Sequence, residues 1–284
     1  MVRGITAWEF NMMMRWCFFA LIGLCVLGGA LALYWPSFAG TRGAESLERL
    51  TGAPHFKPDP THWQAFLTAV VDEKGNVDYE KASGPTREQL QLYLNQVAKA
   101  TPSSFSPNER LAFYINAYNA LVIDHVLRHW PIKSVDDAGP FHKFFRERVH
   151  MVAGTRVSLH GFESRVIRKY DPRLHFALNC ASASCPPLSP LAYRAEELDA
   201  QLEAAAKRFI NDSGRNLYDE MTQTWYLSQI FDWYADDFGG DTGIRALLNK
   251  HLNQETPEKA QIIFLEYDWA LNSKVIEAQL HLNN

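Results

Sequence analysis

Between Arg110 and Trp130 the chain reads RLAFYINAYNALVIDHVLRHW, which as a helix is apolar on nearly every side. A helix of that kind has to be enclosed by other elements, so it is expected to lie at the centre of the fold. Ser106 is placed as its N-cap, with Pro107 at the first helical position and Glu109 at capping-box spacing, and Pro131 bounds its end. Asn116 and Asn119 share one face with Ala120, Ile123 and Leu127. Buried amides left without partners cost about 1–3 kcal/mol each, so both are expected to be hydrogen-bonded. Their partners are either a neighbouring loop or carbonyl, or a catalytic group or ligand that they orient.

The material for an enclosing shell is present. The chain has 284 residues, 47% hydrophobic and 21% charged, which excludes disordered and collagen-like classes. Helical periodicity recurs from Trp63 to Val71, and further helices are expected at about 86–98, 161–168, 194–211, 228–238 and 242–252. Short strands are expected around Val77–Tyr79, Val149–Val152, Arg156–Leu159, Leu174–Cys180, Thr224–Leu227 and Ile262–Leu265. The fold class is therefore α+β: a single helix-rich domain around a small mixed or antiparallel sheet. The expected organisation is an N-terminal segment over 1–40, a Gly- and Pro-punctuated tether over 41–60, and a globular domain over 61–284.

From Trp16 to Trp35 twenty residues carry no charge, enough as a helix to span a hydrocarbon core of about 30 Å. Arg3 and Arg15 precede this segment and Glu45 and Glu48 follow it, which favours a cytoplasmic N-terminus and a body on the periplasmic or extracellular side. The segment is either a membrane anchor or a signal cleaved near Ala39, where Ser37 and Ala39 are suitably small. Both readings export the body. A net charge of −4, with 28 basic against 32 acidic residues, offers no basic field for a phosphate backbone, so nucleic acid is not an expected partner.

His125 and His129 have the i, i+4 spacing of two ligands on one metal. The residues between them lack the glutamate of an HExxH site and no third ligand is evident, so helix-end electrostatics explains the pair more simply, and neither metal nor cofactor is expected. The densest chemical signal is DPRLHFALNCASASCPP, Asp171 to Pro187. Its run Leu174–Leu178 reads as a strand buried on both faces that empties into a small, polar loop. Cys180 and Cys185 enclose four residues of that loop. They are a disulfide, inert thiols, or a thiolate nucleophile activated by an imidazole such as His175, His160 or His150. Strand alternation would put His175 and Cys180 on opposite faces. In FDWYADD, Phe231–Asp237, the aromatics are expected to pack and the acids to be solvated.

The blocks LAFYINAYNALVI, SLHGFESRVIR, DPRLHFALNCASASCPPL, LSQIFDWYADDFG and EYDWALN, ordered between about Phe105 and Asn272, together resemble the DUF547 family, a domain of unknown function. The resemblance implies an exported domain behind a hydrophobic segment, without an assigned activity. It singles out Asn116, Asn119, Glu163, Arg168, Asp171, Arg173, His175, Cys180, Cys185 and Pro186, and it implies a histidine in many relatives at the position that is Ser164 here. Glu163 and Asp171 are expected to form ion pairs with Arg168 or Arg173. Two functions remain. The favoured one is a binding or scaffolding module of the cell envelope, tethered through Trp16–Trp35, that accepts a peptide, glycan or protein. The alternative is a cysteine-dependent hydrolase or acyl transferase using Cys180 or Cys185, with His175 as base, Asn116 or Asn119 as orienter, and Glu163 among the candidate catalytic groups.

Overall fold

The structure, a computed structural model, describes residues 55–252, 257 and 260–274. In chain order the helices are α1 (Thr61–Val70), α2 (Tyr79–Ser83), α3 (Arg87–Lys99), α4 (Pro107–His129), α5 (Lys143–Arg146), α6 (Leu159–Phe162), α7 (Leu198–Ile210), α8 (Gln229–Trp233), α9 (Ala235–Phe238) and α10 (Gly240–His251). The strands are β1 (His150–Val152), β2 (Thr155–Val157), β3 (Leu217–Asp219), β4 (Thr224–Leu227) and β5 (Gln261–Phe264). The result is a mixed, helix-rich α+β fold with two small sheets. β1 and β2 form an antiparallel hairpin, while β4 pairs antiparallel with β3 and parallel with β5.

α4 is the central helix that its sequence demands. Every residue from Leu111 to Leu127 is buried, and the capping box forms, with the Ser106 N–H donating to Glu109 Oε2 at 2.9 Å. α1, α3 and α4 stack in sequence around a first hydrophobic core that contains Trp63, Phe66, Tyr93, Ile115 and Ile123. A second core, with Phe176, Phe209, Trp225, Phe231 and Phe238, lies among α7 to α10 and the three-stranded sheet.

The run Leu174–Cys180 is not a strand. Pro172–Phe176 forms a 3-10 helix, started by Asp171, whose carboxylate accepts from the Arg173 N–H at 2.8 Å, with Pro172 at the first position. The run is continuously apolar because it bridges the two cores, Leu174 entering the first and Phe176 the second. A buried 3-10 turn and a buried strand carry the same signature in sequence, and without a strand no alternation separates His175 from Cys180. Near Val77 only isolated bridges form, because Asp78 caps α2, accepting from the Lys81 N–H at 2.9 Å. The helix expected over 228–238 breaks at Tyr234 into α8 and α9.

Gly75 turns the chain after α1 with φ +84°, and a Cβ there would lie 2.6 Å from the Pro187 side chain. That close approach pins the end of the cysteine loop against the first core. The segment Trp16–Trp35 lies outside the described residues. Among those described, no helix is long and apolar enough to cross a membrane.

Candidate functional site

The chemistry-bearing side chains gather at the seam between the two cores. Asn116 and Asn119 are both buried and both tie backbone. Asn116 Nδ2 donates to Tyr193 O at 2.8 Å and its Oδ1 accepts from Tyr193 N–H at 2.9 Å. Asn119 Nδ2 donates to Ala177 O at 3.0 Å and its Oδ1 accepts from Asn179 N–H at 2.9 Å. Each amide thus engages main chain through both its nitrogen and its oxygen, which accounts for the burial of both side chains.

Asn179 extends the chain of amides into the cysteine loop. Its Nδ2 donates to Pro186 O at 2.8 Å, and its Oδ1 accepts from Ala181 N–H at 2.9 Å. Asn272, whose Oδ1 accepts from Tyr79 Oη at 2.9 Å, lies on the same carbonyl oxygen. This scaffold holds Ala181 at φ 65°, a left-handed conformation that is uncommon for a residue bearing a Cβ. The loop between the cysteines thus carries one strained backbone position, at Ala181.

Cys180 and Cys185 are both free thiols. The Cys180 N–H donates to Cys185 Sγ, and Cys180 Sγ lies 2.9 Å from Ser182 Oγ and 3.1 Å from Tyr267 Oη. Burial acts to raise the Cys180 thiol, but hydrogen bonds from Cys185, Ser182 and Tyr267 outweigh it and bring the thiol down to about 7. Burial and the neighbouring Cys180 sulfur push Cys185 the other way, well above the ordinary thiol range. Of the two, Cys180 is the less buried residue and carries the acidified thiol.

No histidine is hydrogen-bonded to either sulfur among the described residues. His175 turns to Asp237 instead: Nε2 lies 2.8 Å from Asp237 Oδ2, and the ring stacks on Tyr234 with centroids 3.8 Å apart. Burial brings His175 down to about 4 against the opposing pull of Asp237, so the ring is neutral at pH 7 and Nε2 carries the proton that the carboxylate accepts. Arg168 holds the same carboxylate, Nη2 to Oδ1 at 2.9 Å, and that hydrogen bond keeps Asp237 below its ordinary value. Asp237 is therefore not a solvated acid, whereas Asp232 and Asp236 are exposed.

Glu163 opens a π-helical turn, Glu163–Ile167, an irregularity frequent at functional sites. Among the described residues its carboxylate forms no ion pair with an arginine. It accepts from Tyr234 Oη at 2.6 Å and from Tyr118 Oη at 3.2 Å. Asp171 does pair with Arg173, at 2.8 Å. Tyr118 and Tyr234 thus share the Glu163 carboxylate, while Tyr267 is the phenol on Cys180. Ser164 donates to His160 O at 2.7 Å.

The structure thus joins Cys180 to Cys185, gives Glu163 to the phenols of Tyr118 and Tyr234, leaves His175 in an ion-pair network with Asp237 and Arg168, and engages Asn116 and Asn119 with main chain. Ser182, Tyr118, Tyr234, Tyr267 and Asp237 were missed as site residues. Three of them stand in the aromatic and acidic blocks LSQIFDWYADDFG and EYDWALN. Their signal was a phenol beside carboxylates in otherwise apolar segments, which looks the same in a packed core.

No curated protein and no solved structure matches the chain. Residues 102–210 match the family model described as "Protein of unknown function, DUF547". That range holds Asn116, Asn119, Glu163, His175, Cys180 and Cys185, while Tyr234, Asp237 and Tyr267 lie beyond it. The match over residues 102–210 agrees with the resemblance that the sequence motifs carry.

Proposed function

We propose that the body is a glycan-binding module of the cell envelope, tethered outside the cytoplasmic membrane through Trp16–Trp35. The observation that carries this reading is an aromatic shelf beside a polar cleft. Trp233, Tyr267 and Trp269 pack on one another at centroid distances of 4.5–5.8 Å, and Trp233 remains 44% exposed. Next to them a shallow cleft of about 480 Å³ is lined by Ser184, Arg215, Glu266 and Asp268, among others. Sugar rings present apolar C–H faces to aromatic side chains and hydroxyls to charged groups, so a half-wet shelf with carboxylates and a guanidinium at its edge suits them better than an apolar peptide.

The test is titration of the full chain in detergent with envelope oligosaccharides, followed by tryptophan fluorescence, with a peptide panel in parallel. Trp233→Ala is expected to weaken oligosaccharide binding at least about tenfold, in the range of an aromatic hot spot. Binding of peptides alone, or oligosaccharide binding indifferent to Trp233, overturns the reading. A reporter fused after Asn284 that is active only in the cytoplasm overturns the topology.

A second reading, cysteine-dependent chemistry, is favoured by the acidified Cys180 thiol. The hydroxyls of Ser182 and Tyr267 support a thiolate, but they do not supply the histidine base that a hydrolase or acyl transferase of the expected kind would use. Cys180 is expected to alkylate without prior reduction, with a rate midpoint near pH 7. Tyr267→Phe should move that midpoint upward. A requirement for reductant, or a midpoint at the free-thiol value of about 8.5, removes this reading.

A further inference from the structure

We infer that His125, His129 and Glu147 form a binding site for a divalent transition-metal cation of the zinc class. The site stands at the C-terminal end of α4, away from the cysteine loop in sequence, and it is independent of the glycan-binding reading. One ligating atom from each of the three residues lies within 4.8 Å of the other two. His125 Nε2 and Glu147 Oε2 are 3.8 Å apart. Ligand atoms on a tetrahedral zinc at about 2.0–2.1 Å are separated by about 3.4 Å, so closure onto a metal needs only small side-chain movements.

The second observation is a deficit of hydrogen bonds. His125 is 1% exposed, and neither of its ring nitrogens has a hydrogen-bond partner. His150, at the start of β1, is equally buried, has two unpartnered ring nitrogens, and its ring centroid lies 4.9 Å from that of His125. A buried imidazole normally satisfies at least one nitrogen, and unpaired buried polar groups are costly. A cation held with His129 and Glu147 supplies what the His125 lone pair lacks.

The surrounding groups suit this role. His129 Nδ1 lies 2.9 Å from the His125 carbonyl oxygen, which can only accept, so Nδ1 carries the proton and Nε2 keeps its lone pair. Lys143 holds Glu147 Oε1 at 3.1 Å and leaves Oε2 facing His125. The nearby Arg128 is engaged by Asp124 at 2.6 Å. Phe144 packs against the His125 ring at 4.4 Å and gives the site an apolar wall. A donor set of two imidazoles and one carboxylate, without thiolate, favours zinc over magnesium or calcium.

The experiment uses the full chain, stripped with chelator and titrated with Co²⁺ and then Zn²⁺. One equivalent of Co²⁺ is expected to give the visible bands of a four- or five-coordinate ion without a thiolate charge-transfer band, and Zn²⁺ should displace it. His129→Ala and Glu147→Gln, both at half-buried positions, should remain folded by circular dichroism and bind at least about tenfold more weakly. Zinc should raise the thermal midpoint of the wild-type chain and leave those of the two variants nearly unchanged. A thiolate band would assign the metal to Cys180 and Cys185. That result, absence of stoichiometric binding, or binding unaffected in both variants would each overturn the proposal.

Discussion

Lowering the pH from 7 to 5 in the presence of chelator should destabilise the domain strongly, by on the order of 2 kcal/mol for each of three buried histidines. Burial brings His125 and His175 down to about 4 and His150 down to about 3, each from an ordinary value of 6.5. The unfolded chain therefore takes up protons below pH 6.5 that the folded chain refuses. The stability held by the neutral rings is fully present above 6.5 and is lost as the pH falls toward the folded values. The groups facing these rings do not reverse the sign. Glu147 and Asp124 act against the burial of His125 while His129 and Arg128 add to it, and Asp237 acts against that of His175 while Arg168 adds to it. His150 faces only cationic or ionisable basic neighbours, His125 and Arg128. Urea midpoints measured between pH 7 and pH 5 should fall steeply, and His150→Phe, which fills the space without a proton site, should flatten the slope by about a third. A midpoint independent of pH over this window would mean that the rings are hydrated or already paired.

How much of this was legible in the sequence depended on how local its cause was. The capping box at Ser106 and the enclosure of α4 follow from residues within one helix, and both formed as the pattern requires. β4 and the β1–β2 hairpin at Gly154 were legible for the same reason, since a short alternating run beside a turn is a local signal. The run Leu174–Leu178 was misread because its cause is not local: two cores meet there, and burial on both sides hides the period. The site divided along the same line. Cys180, Cys185 and Glu163 were legible as residue types that rarely sit idle beside apolar segments. Tyr234 lies 71 positions beyond its partner Glu163 and Tyr267 lies 87 beyond its partner Cys180, and only the fold brings a phenol to a carboxylate or a thiol at that distance. Glu147 was invisible as a third group beside His125 and His129, because nothing in the sequence says that the segment after Pro131 returns to the end of α4.

Asn119→Ala is expected to cost roughly 2–4 kcal/mol, because it strands two buried main-chain groups at once, the Ala177 carbonyl and the Asn179 N–H. Asn179 is only 2% exposed, so water cannot readily replace the lost amide. The consequence should not stop at stability. Asn179 is the residue through which α4 holds the cysteine loop, bonding Pro186 O with its amide nitrogen and the Ala181 N–H with its oxygen. The left-handed φ of Ala181 persists only while those bonds hold it, and the placement of Ser182 and Tyr267 on the Cys180 sulfur depends on that turn. The variant should therefore show a lower urea midpoint and, in its folded fraction, a Cys180 alkylation midpoint moved from about 7 toward that of a free thiol. Asn116→Ala separates the two effects. It breaks an equivalent pair of bonds to Tyr193, on a segment beyond the loop, so it should lower stability by a similar amount and leave the thiol midpoint where it was. If both variants shift the thiol equally, the acidity of Cys180 reflects the rigidity of the whole domain; if Asn119→Ala shifts neither quantity, the amide chain does not hold the loop.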